Sequence, residues 1–116
     1  MMSSTAQKKL IKRIRDRIVK EYKPEKIILF GSLAYGKPRR DSDVDLLVIK
    51  RTMRGYFDRI REISDIFGLR DFSLDVIVRT PGELEKRLKE GSVFYEEIVT
   101  KGKVLYEKTE GSRALA

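Results

Sequence analysis

Three short β-prone runs, each set apart by a stretch of helical period, constrain the fold of this chain most. They are Lys26–Phe30 (KIILF), 43–49 (DVDLLVI) and 72–78 (FSLDVIV). Gly, Pro and charged turn residues bound each run, as they bound buried strands. Before the first run, apolar residues recur at Leu10, Ile11, Ile14, Ile18 and Tyr22, the spacing of one helical face. Pro24 ends that helix. Between the second and third runs, Tyr56, Ile60, Ile63 and Phe67 mark a helix over roughly 52–67, with Gly68 as its C-terminal cap. After the third run, Thr80 reads as an N-cap and Pro81 as the first helical position. Gly91 then divides that helix from another over 92–100, and 104–106 reads as a last short strand. Residues 1–6 are expected to fray, and 109–116 to form a disordered tail behind a single domain over 1–108. The element order predicts an α/β domain in which a small mixed sheet is flanked by helices.

The composition removes whole classes of chemistry. With no Cys, neither a disulfide framework nor a thiolate metal site is available. With no His, the commonest general base and every His-based zinc site are gone. Any metal must be held by oxygen, which favours Mg²⁺, Mn²⁺ or Ca²⁺. The formal net charge of +8 fits nucleic acid, an anionic membrane surface or a small polyanion such as a nucleotide as partner, and equally a solvated Lys/Arg-rich surface. No apolar run is long enough to span a membrane, and charges interrupt the N-terminal apolar residues where a signal peptide would be continuous. A cytoplasmic location is the expectation.

The segment 30–48 (FGSLAYGKPRRDSDVDLLV) carries the chemistry. Residues two apart in a strand point to one face, so Asp43 and Asp45 project side by side while Val44, Leu46 and Val48 face the other way. Two neighbouring carboxylates repel and are costly to desolvate, and a divalent cation offsets that cost. Asp75 lies in the apolar run Leu74-Asp75-Val76-Ile77-Val78, on the face opposite Leu74, Val76 and Val78. If its strand neighbours that of Asp45, three carboxylates converge, a set that suits two Mg²⁺ ions. Gly31 lets backbone approach a phosphate closely, and Ser32 adds a hydroxyl and an N–H. Taken singly, each piece has a plainer reading: a DxD at a strand start is most often a solvated edge, and Gly-Ser is most often a turn.

Gly31-Ser32, ten intervening residues and Asp43-Val44-Asp45 together resemble the GSx10DxD signature of the minimal nucleotidyltransferases. These form the MNT family of the DNA polymerase β-like nucleotidyltransferase superfamily. Ser42-Asp43-Val44-Asp45-Leu46 is similar to the family's SDxDL wording, and Asp75 lies where its third carboxylate is expected. The resemblance implies the family's fold and nucleotidyl transfer, with a hydroxyl attacking the α-phosphate of ATP and pyrophosphate leaving. It implies Asp43, Asp45 and Asp75 as metal-binding and catalytic residues, Asp75 also taking the proton, and Gly31 and Ser32 as holders of the β- and γ-phosphates. Members often carry Arg in the GSxAxG turn, where this chain has Leu33 and Tyr35. Lys37, Arg39 and Arg40 in the following loop either substitute for it or are solvated. Tyr35 could stack on the base or be a self-modification site.

Larger relatives carry extra domains for the acceptor, whereas 116 residues hold one domain, so the acceptor site is expected on a partner. The family resemblance implies a HEPN-domain toxin as that partner, AMP being transferred to one of its tyrosines. A non-catalytic antitoxin that neutralises by binding alone is the alternative. Transfer to RNA or a small molecule ranks below these. So does nucleic-acid or membrane-surface binding by the basic face of the first helix (Lys9, Lys12, Arg13, Arg15, Arg17, Lys20). Assembly with itself or with a different chain is compatible with each reading. The aromatics Tyr22, Phe30, Tyr56, Phe67 and Phe94 are expected in the core.

Overall fold

The computed structural model describes residues 5–36 and 42–109. Nine elements follow one another: α1 (Thr5–Tyr22), β1 (Lys26–Phe30), α2 (Ser32–Tyr35), β2 (Val44–Ile49), α3 (Tyr56–Phe67), β3 (Leu74–Arg79), α4 (Pro81–Lys89), α5 (Val93–Lys101) and β4 (Lys103–Glu107). The sheet order is β3-β2-β1-β4. β2 pairs with β1 antiparallel and with β3 parallel, while β4 joins the free edge of β1 antiparallel. This is the expected single α/β domain with a mixed sheet. Among the described residues no helix is long and apolar enough to cross a membrane.

Strand alternation sorts the apolar residues into two cores, one on each face of the sheet. Ile27, Leu29, Val44, Leu46, Val48 and Val78 pack against Ile11, Ile14, Ile18 and Tyr22 of α1 and Ile63 of α3. On the opposite face, Ile28, Phe30, Leu47 and Ile49 pack against Leu84 of α4 and Tyr95 and Ile98 of α5. β1 and β2 are apolar on both faces because helices cover both, which is why their runs read as nearly unbroken. Gly102 allows α5 to close onto β1, since a Cβ there would lie 2.6 Å from Ile28 Cγ2 and 2.9 Å from the Leu29 carbonyl oxygen.

Several boundaries differ from the sequence reading. The first helix begins at Thr5, so Thr5 and Ala6 are ordered turns of α1 rather than frayed; residues 1–4 lie outside the described part. The helix expected from 52 begins at Tyr56, because Gly55 occupies its N-cap and the Thr52 hydroxyl accepts from the Arg54 N–H in a local turn. The third strand runs two residues late at its start. Its pairing with β2 sets the limits, from Val44↔Leu74 to Ile49↔Arg79. Asp43 consequently precedes β2 rather than opening it. Of the expected tail, only Thr109 is described.

One buried charge was not read from the sequence. Arg59, on α3, is 6% exposed. Its guanidinium donates to both carboxylate oxygens of Glu83, at 2.7 and 3.1 Å, and to the carbonyls of Arg54 and Val78. Glu83 also completes a capping box with Thr80 at the start of α4. One ion pair therefore ties α3, β3 and α4 together. The Arg59 guanidinium, with help from the Thr80 N–H, holds the Glu83 carboxyl down to about 2. The folded value lies below the unfolded one, so this stabilisation is present above about 4.5 and is lost as pH falls towards 2. Glu83→Gln should cost about 1–2 kcal/mol at pH 7, after discounting for a partly open carboxylate. The gap from wild type should narrow as urea denaturation is repeated down to pH 2.5.

Candidate active site

At one end of the sheet, the last residue of β1 and the first residues of β2 and β3 lie side by side. Phe30 is the register partner of Asp45, and Asp45 is the register partner of Asp75. Directly opposed residues share a face. The two aspartates therefore continue the row of Leu47 and Ile77, on the sheet face that α4 and α5 cover. Asp45 is half-buried, while Asp43 and Asp75 are exposed. The usual crevice of an open parallel sheet lies beyond the carboxyl ends of its strands. Here only β1 ends at the site, and the parallel pair β2 and β3 begins there, because the antiparallel step from β1 to β2 reverses the chain inside the site.

Gly31 makes this step possible. Its backbone (φ 77°, ψ −159°) lies in a region essentially reserved for glycine. A Cβ on Gly31 would fall on Asp45 Oδ2, with Asp45 Cγ at 3.0 Å and Cβ at 3.3 Å. The chain then turns into α2, where the N–H groups of Ala34 and Tyr35 donate to the Gly31 carbonyl and that of Gly36 to the Ser32 carbonyl. The N–H groups of Ser32 and Leu33, in the first turn, have no intrahelical acceptor. Leu33 points into the core at 3% exposure, and Tyr35 is exposed.

The electrostatics of the carboxylates are strained. Burial, the negative charges of Asp75 and Asp43 and a hydrogen bond to Asp75 push the Asp45 carboxyl up to about 6. Among the described residues no Lys or Arg forms an ion pair with Asp43, Asp45 or Asp75. The oxygen-only donor set, and carboxylates that no described Lys or Arg pairs with, fit a hard divalent cation. The side chains do not form a finished cage, since among the described residues no three acidic groups stand together as metal ligands. The structure thus brings together Asp45, Asp75 and Gly31, with Ser32 following and Asp43 contributing charge nearby. Lys37, Arg39 and Arg40 lie outside the described residues.

Two aromatics frame the same corner. The Phe30 and Phe94 rings meet edge to face at 5.8 Å. Phe94 was expected in the core but is 48% exposed. It sits early on α5, where the helix turns Tyr95 and Ile98 inward instead. Helical period alone placed it on an apolar face. Only the packing of α5 against β1 in three dimensions shows which part of that face stays open.

Residues 12–111 match the family described as Polymerase beta, Nucleotidyltransferase. The chain belongs to this nucleotidyltransferase family. Among curated proteins none matches it. Solved structures agree on the fold. A Sulfolobus solfataricus protein described as a candidate nucleotidyltransferase is 24% identical, with a TM-score of 0.63 over 88% of this chain and 81% of that one. The MntA-HpeT toxin-antitoxin complex, in a form with two aspartates two residues apart replaced by glutamate, is 26% identical. Its TM-score is 0.51, over 93% of this chain and 77% of that one. A toxin-antitoxin complex solved with AMP-PNP is 21% identical, with a TM-score of 0.53 over 90% and 78% of the two chains.

Two consequences can be measured in this nucleotidyltransferase domain. Gly31→Ala should destabilise it by about 1–3 kcal/mol, the cost of forcing a side chain into a glycine-only conformation, and should displace Asp45 in a crystal structure. The second concerns Asp45, whose folded value lies above its unfolded one. The fold holds a proton there between about 4 and 6, and loses stability as pH rises through that window. In EDTA, Asp45→Asn should therefore be more stable than wild type at pH 8, by about 1 kcal/mol after discounting for solvent screening. No such gain should appear at pH 4.

Proposed function

We propose that this nucleotidyltransferase moves AMP from ATP to a tyrosine hydroxyl of a partner protein, a HEPN-type toxin, and so acts as an antitoxin. The observation that carries the reading is the pairing of Asp45 with Asp75 across β2 and β3, directly beside the Gly31-Ser32 turn. The 26% identical neighbour is a toxin-antitoxin complex, and its two altered aspartates have the same spacing as Asp43 and Asp45.

In this reading, Ser32 and the backbone at Gly31 hold the β- and γ-phosphates, and Tyr35, Lys37 and Arg40 flank the nucleotide. Asp43, Asp45 and Asp75 are the groups that would hold Mg²⁺ or Mn²⁺. Bound there, the metal would supply charge neutralisation at the phosphates and a lowered pKa at the acceptor hydroxyl. Asp75, exposed at the edge of the cluster, accepts the hydroxyl's proton. The hydroxyl oxygen bonds to the α-phosphorus in line as the bond to the bridging oxygen breaks, and pyrophosphate carries away the electron pair. The crowding of Asp45 by burial and by the charges of Asp75 and Asp43 is what a bound cation would relieve.

A second reading rests on the turn itself. Leu33 is buried and Tyr35 is uncharged where relatives often carry Arg, which leaves room for a domain that neutralises its partner by binding without turnover. Incubation with ATP labelled at the α- or the γ-phosphate, Mg²⁺ and a lysate of the source organism separates the readings. A protein band should take up the α-label and not the γ-label, and the Asp43→Asn/Asp45→Asn variant should lose the labelling by roughly 100-fold or more, since even the outer partners of metal ligands are worth about 10–100-fold. Label confined to RNA or a small molecule would remove the antitoxin assignment. No label anywhere, with neutralisation intact in the variant, would favour the binding-only reading.

A further inference from the structure

We propose that Phe94 is the nucleobase platform of this site, stacking on the base of the bound nucleoside triphosphate. The inference rests on the nucleotidyltransferase reading above and deepens it by naming the residue that meets the base.

Four observations lead there. Phe94 is 48% exposed, whereas its neighbours Tyr95 and Ile98 are 7% and 0%. Its ring meets two others nearly at right angles, Phe30 at 5.8 Å and Tyr95 at 5.1 Å. The lie of α5 separates these two aromatics by task. Tyr95 accepts a hydrogen bond from Arg79 Nε, at the far end of β3, while Phe94 meets Phe30 at the carboxylate end. Finally, Phe30 immediately precedes Gly31 and is the register partner of Asp45, so Phe94 stands on the phosphate side of the cluster rather than the Asp75 side.

Scale supports the assignment. One antiparallel strand spacing of about 5 Å separates the Phe30 backbone from that of Asp45. The step from Phe30 to Phe94 adds a ring separation of 5.8 Å. A triphosphate lying along Gly31-Ser32 has its ribose and base within that reach. A phenylalanine has no donor or acceptor to read a base edge, but it offers a π-face to any base, and its two perpendicular ring contacts restrict its orientation before the ligand arrives.

Calorimetric titration of the full chain with ATP and with inorganic tripolyphosphate, both with Mg²⁺, tests this. Phe94→Ala should weaken ATP binding roughly tenfold, the usual scale of one base–aromatic stack, and leave tripolyphosphate unchanged. Phe94→Trp should retain ATP affinity. Phe94→Leu, which keeps an apolar contact with Phe30 and guards against a folding defect, should behave like Phe94→Ala. Equal ATP affinity in wild type and Phe94→Ala would overturn the platform and leave the nucleotidyltransferase reading standing. So would equal weakening of ATP and tripolyphosphate. Wild type binding neither ligand would overturn both.

Discussion

The close approach of Gly31 to the Asp45 carboxylate is the constraint on which the rest of the site depends. The antiparallel pairing of β1 with β2 sets Phe30 against Asp45, and the next residue must turn the chain away without a side chain. Only glycine has both the conformation and the missing Cβ. Every other feature follows from that step. The turn into α2 begins there, so the first turn of that helix follows directly on the residue that meets Asp45. Asp45, in turn, is half covered by the residues that crowd it. One glycine supplies the proximity.

The repulsion built into the cluster has a stability cost that the rest of the fold must carry. Burial and two like charges keep Asp45 protonated well above the usual carboxylate range. The compensation is structural rather than local. β1 and β2, which deliver the site, are packed on both faces, and the second sheet face is clamped by α4 and α5. The Arg59–Glu83 pair fixes the start of α4 to α3 and β3 at the end of the sheet away from the carboxylates. This ion pair and the acidic cluster occupy opposite ends of β3, so the Arg59 charge is spent on Glu83 and does not reach the cluster.

Much of this was legible in the sequence, and the failures have physical causes. KIILF read as a strand because both of its faces are buried. Thr80-Pro81 read as a helix start because cap chemistry is local. Asp43, Asp45 and Asp75 were singled out because a carboxylate in an apolar strand is costly unless something uses it. The parallel neighbours Asp45 and Asp75 could be supposed but not read, since strand order is set by the crossover through α3 and not by any local residue. Arg59 was missed because a basic residue inside an amphipathic helix looks like its solvated face. Its partner lies 24 residues on, across an element boundary. Phe94 was misplaced for the converse reason: period assigns a residue to a helix face, but not to the covered or overhanging part of that face.

These two errors share a logic that bears on function. Local pattern predicts well wherever local energetics decide, in strands, caps and turns. It fails where a residue's environment is made by an element distant in sequence, and sites are assembled at such places. The carboxylates come from β3 and from β2 and the residue before it, the glycine from the β1–α2 turn, and the exposed aromatic from α5. Apart from Gly31-Ser32 and the Asp43-Val44-Asp45 segment, these pieces are far apart in the chain. A domain this small therefore spends most of its length placing a few groups. The family motif is recognisable because its shortest segment, Gly31 to Asp45, is also the segment whose spacing the antiparallel step constrains.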